Sequence, residues 1–358
     1  MFNKKVWQAV ALISVLVLAL SACGSGQPAT VAPATSAPAT AAPATAAPVA
    51  TAVPPTAVPP TKVPLKVALL LEGPLADTGW NATAYQGLLD AQKEFGVQVA
   101  YEENVPPADE EQTVRNYASQ GYNLIIGHDF SFMDPMTKLS TEFPNTFFSC
   151  TTAFQGTPNL AAYDMYEVQS HYLAGIVLGS MTKSNIIGIV GGVDLPTQDA
   201  NFNALKQGVA SVNPKAKVLI SFVGSWGDSA GGKEAALAQI NNGADVMLDA
   251  GAASGLGTLE AVAEKNIPVI SFIPLSSPAA PKQLIATILP NYEKMVHDQV
   301  ELLVEGKFQG GLIRPDLATG IIQINMNNGV PADIQAKVLQ AKQDIIDGKL
   351  VIPENFNK

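Results

Sequence analysis

The chain has 358 residues, with 21 lysines and arginines against 31 aspartates and glutamates, for a formal net charge of −10. A surface this acidic repels nucleic-acid phosphates and anionic lipid, so nucleic acid is excluded as a partner and free phosphorylated ligands are disfavoured. Two cysteines, Cys23 and Cys150, give no disulfide framework, so apolar cores must hold the fold, and residues 65–358 suffice for two ordinary domains.

Residues 1–22 open with Lys4 and Lys5, continue as an apolar run from Val6 to Leu20, and contain no acid. The run falls short of the ~20 apolar residues that span a bilayer comfortably and reads as a secretory signal. It ends in Leu20-Ser21-Ala22-Cys23, the form of a bacterial lipobox. Cleavage before a diacylated Cys23 would leave a lipid anchor, each buried methylene contributing ~0.8 kcal/mol. The expected location is the extracytoplasmic face of the cell membrane. With Cys23 acylated, Cys150 has no partner, and Phe147-Phe148-Ser149-Cys150 reads as a buried strand. Residues 23–64 form the lipidated cysteine and a tether of Ala, Thr, Val and Pro with one charge, Lys62. Frequent prolines forbid helix and favour polyproline II at ~3.1 Å per residue, a reach of up to ~120 Å.

From Lys66 the pattern changes to apolar runs alternating with helical stretches. Residues 67–71, 97–101, 124–127 and 146–149 read as strands, with helices at 81–95, 110–120 and 134–143. A second set has strands at 186–190, 218–223, 246–250 and 269–272, with helices at 199–212, 231–242 and 254–265. After Lys282 come a strand at 283–289, a helix at 290–305 and a closing helix at 336–347. Such alternation gives parallel sheets flanked by helices, since parallel neighbours need crossover connections. The expected fold is α/β with two lobes, residues 65–180 and 181–282, completed by crossover segments in 283–358. This is the plan of a type I periplasmic binding protein. Ligands then sit beyond the carboxyl ends of the strands, in a cleft that both lobes share.

The candidate ligand residues lie in loops after strands. Of three tryptophans, Trp7 belongs to the signal, while Trp80 and Trp226 stand among glycines and short polar residues. Two indoles facing a cleft would sandwich a planar ligand, at ~1–3 kcal/mol per stacked face. Asp77 could cap the helix after it or touch ligand; the Asn81 amide can donate and accept toward a heterocycle edge. Asp129 beside His128, Tyr166 before an interlobe helix, and Asn201 near Asp199 at a helix start are further candidates. So are Ser254 in a glycine-rich turn, Asp228 near a helix start, and Phe272. His171 and His297 fall in helices and read as surface residues.

No catalytic residue, metal site or cofactor is expected. Gly227-Asp-Ser-Ala-Gly-Gly-Lys233 has P-loop spacing, but Glu234 replaces the hydroxyl residue that would hold Mg²⁺, and Asp228 would repel phosphate. The histidines lack metal spacing with each other, and no Gly-x-Ser-x-Gly elbow occurs.

Several of these stretches resemble the basic membrane protein family of ABC-transporter substrate-binding lipoproteins, which includes purine nucleoside receptors. The resemblance rests on Asp77 to Asn81, Tyr166-Glu-Val-Gln-Ser-His-Tyr-Leu-Ala-Gly175, Ile186-Ile-Gly-Ile-Val-Gly-Gly192, residues 226–236, Gly251-Ala-Ala-Ser-Gly-Leu-Gly257 and Ile345-Ile-Asp-Gly-Lys349. It implies a monomeric receptor for a purine or nucleoside, with an ABC permease and ATPase as partners. Two positions depart from the family's nucleoside receptors. An Asp-x-Asp after the last strand of the second lobe is here Phe272-Ile-Pro-Leu275, and a lysine after the next strand is here Pro290. Those charged groups grip ribose in the family, so a free base is expected over a nucleoside. A sugar or another small metabolite is the alternative ligand. A receptor that serves sensing rather than import is the alternative role.

Overall fold

The computed structural model describes residues 64–77 and 79–357. The signal segment, Cys23, most of the tether and Thr78 lie outside the described residues. In chain order, the first elements are β1 (Lys66–Leu70), α1 (Trp80–Phe95), β2 (Gln98–Glu102), α2 (Glu110–Ser119), β3 (Leu124–Gly127), α3 (Met133–Glu142), β4 (Phe147–Thr151) and β5 (Leu160–Tyr163). There follow α4 (Val168–Met181), β6 (Ile186–Gly191), α5 (Pro196–Val212), β7 (Lys217–Phe222), α6 (Ser229–Asn241), β8 (Val246–Ala250), α7 (Gly255–Lys265), β9 (Val269–Ser271) and β10 (Leu284–Thr287). The chain ends with α8 (Tyr292–Val304), β11 (Gly311–Ile313), β12 (Asn325–Met326) and α9 (Ala332–Ile346).

These strands make two sheets, in the orders β11-β5-β4-β3-β1-β2 and β12-β10-β9-β8-β6-β7. Every pairing is parallel except β10 with β12. The two orders are the same pattern used twice, so the lobes are repeats of one doubly wound plan. The interior strands β1, β3 and β8 are apolar and buried along nearly their whole length, as strands covered by helices on both faces must be. The edge strands β2 and β7 are partly exposed.

The chain passes between lobes after β5, after β10 and after β11, and these passages complete each lobe with its last strand. On the return to the first lobe, α8 packs on α1; α9 packs on α4 in the second. Helix α4 is buried on all sides, and it lies against α5 with Gly175 and Gly208 at the crossing. It therefore belongs to the second lobe, and the lobe boundary falls before α4 rather than at residue 180. Cys150 is a buried residue of β4; its thiol meets the Asp129 carbonyl at 3.2 Å, and burial pushes its pKa well up.

Candidate functional site

The first-lobe wall is built where β1, β3 and β4 end. Asp77 uses both carboxylate oxygens on the start of α1: Oδ1 accepts from the N–H groups of Gly79 (3.1 Å) and Ala82 (3.2 Å), and Oδ2 from that of Asn81 (2.6 Å). Asp77 is thus a cap here, neutralising backbone donors that the first turn leaves unpaired. Trp80, the first residue of α1, donates its indole N–H to the His128 carbonyl at 3.0 Å. Nε2 of His128 reaches the Trp80 carbonyl at 3.1 Å, and its Nδ1 lies 3.0 Å from the Thr151 hydroxyl. Burial pushes this imidazole down to about 3, so the ring is neutral. A carbonyl can only accept, so Nε2 carries the hydrogen and Nδ1 accepts from Thr151. Tyr292 closes the cluster, its ring 4.7 Å from Trp80 and 4.8 Å from His128.

Two buried polar atoms in this wall have no partner: the Tyr292 hydroxyl, 1% exposed, and Oδ1 of Asn81, 6% exposed. Each unpaired group carries a desolvation cost of about 1–3 kcal/mol that a bound molecule or water can relieve. Asp129 accepts from the Ser131 N–H at 2.9 Å and heads a short 3-10 turn, Phe130–Phe132. Glu72 and Glu110 lie nearby; burial, and then the Asp129 charge, raise the pKa of Glu72, and burial raises that of Glu110 against a hydrogen bond from Ser131.

In the second lobe, Trp226 is 40% exposed, and its indole lies on Gly192, where a Cβ would come within 2.2 Å of the ring. Its carbonyl accepts from the Ser254 N–H at 2.7 Å. Ser254 is fully buried and donates its hydroxyl to the Gly251 carbonyl at 2.6 Å, which fixes the turn before α7. Asp228 caps α6 through the Gly231 N–H at 2.9 Å. Asn201 is buried and donates to Glu167 at 3.0 Å. Tyr166 turns elsewhere: its hydroxyl donates to the Ile352 carbonyl at 2.8 Å, with the Arg314 guanidinium 4.8 Å from its ring centre. Phe272 packs against core residues of both lobes. Its carbonyl would lie 3.6 Å from a Cβ at Gly79, so the loops after β1 and β9 approach each other across the lobes.

Sequence reasoning missed several groups. His171 is fully buried rather than a surface residue, because α4 has no wet face. Its Nδ1 donates to the Glu167 carbonyl at 2.9 Å, Nε2 has no partner, and burial pushes its pKa down to about 4. Burial pushes Glu167 up to about 7, against the hydrogen bond from Asn201. Asp249 in β8 is pushed up to about 6 by burial; it accepts from the Ser271 hydroxyl (2.7 Å) and the Gly251 N–H (3.1 Å), and so supports the turn that holds Ser254. An aspartate inside the apolar run Val246-Met-Leu-Asp-Ala250 is the signal that could have exposed it. Among the described residues, His297, Asp298 and Glu301 could bring metal-ligand atoms within 4.8 Å of one another. His297 already faces Glu94 at 3.0 Å, and Asp298 faces Lys294 at 2.7 Å.

A cavity of about 360 Å³ touches both lobes, between Thr83 on α1, Pro274 and Leu275 after β9, Pro290 before α8, and Gln323. Its size falls in the range of small-molecule sites. No helix among the described residues is long and apolar enough to cross a membrane.

Residues 65–356 match the family described as ABC transporter substrate-binding protein PnrA-like. A purine-binding protein of Brucella abortus is 25% identical over 289 residues, covering 80% of this chain and 82% of that protein. A protein of Haloferax volcanii named as an ABC transporter glucose-binding protein is also 25% identical, over 279 residues, 77% of this chain and 71% of that one. Among solved structures, an ABC transporter solute-binding protein from Conexibacter woesei superposes with a TM-score of 0.70 at 26% identity, covering 82% of this chain and all of that one. The chain belongs to the PnrA-like family of ABC transporter substrate-binding proteins.

Proposed function

We propose that this protein is the extracytoplasmic receptor of an ABC importer, that it holds a purine base between its lobes, and that acyl chains on Cys23 tether it to the membrane. The observation that carries the ligand assignment is the make-up of the cleft walls. The second-lobe wall offers the half-exposed aromatic face of Trp226, and buried within the first-lobe wall are unpartnered neutral polar atoms on Tyr292 and Asn81. Flat faces with a few edge-on hydrogen-bonding groups fit a planar heterocycle. The purine-binding relative in Brucella abortus supports the same ligand class.

Sugar is the competing ligand, and the Haloferax volcanii relative keeps it in view. The arginines speak against it. Arg115 is paired with Glu111 and Glu142, and Arg314 with Asp164 and Glu354, so neither is available to grip hydroxyls. A base is favoured over a nucleoside because Leu275 and Pro290, which stand where the family's nucleoside receptors carry charges, are apolar; they line the cavity together with the polar residues Asn291, Glu293, Gln323 and Asn325.

Mass spectrometry of the small molecules released on denaturing the freshly purified domain from Lys66 onward should find a purine base. Recovery of a hexose instead would overturn the ligand assignment. The anchor has its own test. Wild-type protein should partition into the detergent phase and Cys23→Ser should not; wild-type protein in the aqueous phase would refute lipidation.

A further inference from the structure

We infer that residues 350–357 form a strap that latches the two lobes at their hinge, with the Arg314–Glu354 ion pair as its catch. Breaking this pair frees the lobes to sample other angles. The inference concerns lobe motion and holds whichever ligand the cleft takes.

The first and third passages between the lobes lie side by side. Tyr163 and Ile313 close the parallel pairing of β5 with β11. The Asp164 N–H then donates to the Ile313 carbonyl at 2.9 Å, and the Tyr166 N–H to the Pro315 carbonyl at 3.1 Å. Asp164 and Arg314 directly follow those strands, so they move with the first lobe. A few residues later both passages are committed to the second lobe. Val168 and Leu317 belong to its core, and the Leu317 N–H donates to Gln169 of α4 at 2.9 Å. In these passages a rotation of the lobes is therefore absorbed between residues 164 and 168 and between 314 and 317.

The strap rides on the second lobe. Leu350 and Ile352 pack into its core, and the Asn203 amide of α5 donates to the carbonyls of Asn355 (2.9 Å) and Asn357 (2.6 Å). Between those anchors the strap meets both passages. The Ile352 carbonyl accepts from the Tyr166 hydroxyl at 2.8 Å. Glu354 accepts from Nη2 of Arg314 at 2.7 Å, while Asp164 accepts from Nε of the same guanidinium at 2.8 Å. The guanidinium also lies over the Tyr166 ring, 4.8 Å from its centre. Arg314 moves with one lobe and Glu354 with the other, so turning the lobes pulls this pair apart. The Arg314 side chain is 45% exposed, which leaves the catch weak enough to release and open to screening by salt.

Double electron–electron resonance tests this on the whole ligand-free chain in a Cys23→Ser background. Nitroxides go on Lys93→Cys in α1 and Lys265→Cys in α7, both exposed, while buried Cys150 takes no label. At about 0.05 M salt, Glu354→Gln should raise the share of molecules away from the dominant distance about fivefold. Tyr166→Phe, which removes the other contact with the strap, should act in the same direction. Raising salt to about 1 M should move the parent toward Glu354→Gln and leave that variant nearly unchanged. The unfolding midpoint of Glu354→Gln should stay within about 2 °C of the parent, which separates a latch from a general support. Identical distance distributions for Glu354→Gln and the parent, or a salt response equally large in both, would overturn the latch. Neither readout involves ligand, so that result would leave the purine assignment standing.

Discussion

Trp80→Ala should destabilise the domain by about 2–4 kcal/mol, read as a fall of roughly 5–10 °C in the unfolding midpoint. The indole is half-buried, but it joins the start of α1 to the end of β3 through two reciprocal hydrogen bonds with His128. Truncation would remove the donor to the His128 carbonyl, leave that carbonyl unpaired and open space beside Tyr292. Trp80→Phe should recover most of the loss, because it keeps a ring against both neighbours and lacks only the N–H, a difference of about 1 kcal/mol. Differential scanning calorimetry of the three proteins makes the comparison. If Trp80→Ala melts within about 1 °C of wild type, the cluster does not hold the two elements together.

Gly208→Val should be still more damaging. A Cβ at Gly208 would come within 2.0 Å of the Tyr172 carbonyl oxygen, and one at Gly175 within 2.2 Å of that of Leu205. The backbones of α4 and α5 thus touch where both glycines lie, and any side chain forces the helices apart. Overpacking usually costs about 1–3 kcal/mol. Here the displaced helix is α4, whose buried residues run all the way round, so separation at one face strains the others. A loss of about 3 kcal/mol or more is expected in urea unfolding, with poor soluble yield. Gly227→Ala is the control. No atom lies within 4 Å of a Cβ there, and its φ is not in the left-handed region, so its stability should match wild type. Equal stability of Gly208→Val and the control would contradict the close crossing.

The alternation of apolar runs and helix-period stretches was enough to read two parallel-sheet lobes. Those strands are mostly apolar, with Asp249 in β8 the buried exception, and within each set of four each is joined to the next by a single α-helix. The strands that escaped notice have no such signature. β5 is Leu160-Ala-Ala-Tyr163, and β11 and β12 contain three and two residues. They are strands because a neighbouring edge accepts them, and a local pattern does not carry that information. Helix α4 misled for a related reason. His171 reads as a surface residue, yet it is buried together with Gln169 and Ser170 because α5 and α9 cover α4.

That Trp80, Asp129, Trp226 and Ser254 stand in segments that follow strands was legible in the sequence. The division of labour within them was not. Asp77 and Asp228 are helix caps in the structure, and a short acid before a helix has the same composition whether it caps or binds. The indole of Trp80 points its N–H at a carbonyl in another strand, a contact between residues 48 positions apart.

Isothermal titration calorimetry of the domain from Lys66 onward, with adenine, guanine, hypoxanthine and their nucleosides in parallel, tests the central claim most directly. A purine base should bind at least as tightly as its nucleoside. The apolar stretch Phe272-Ile-Pro-Leu275 and Pro290 offer no carboxylate or ammonium to ribose hydroxyls, and each such charge-assisted bond would contribute about 1.5–3 kcal/mol. Nucleosides binding about tenfold more tightly than bases, a difference of ~1.4 kcal/mol, would show that other residues grip the sugar. Heat of binding from glucose and none from any purine would contradict the account altogether.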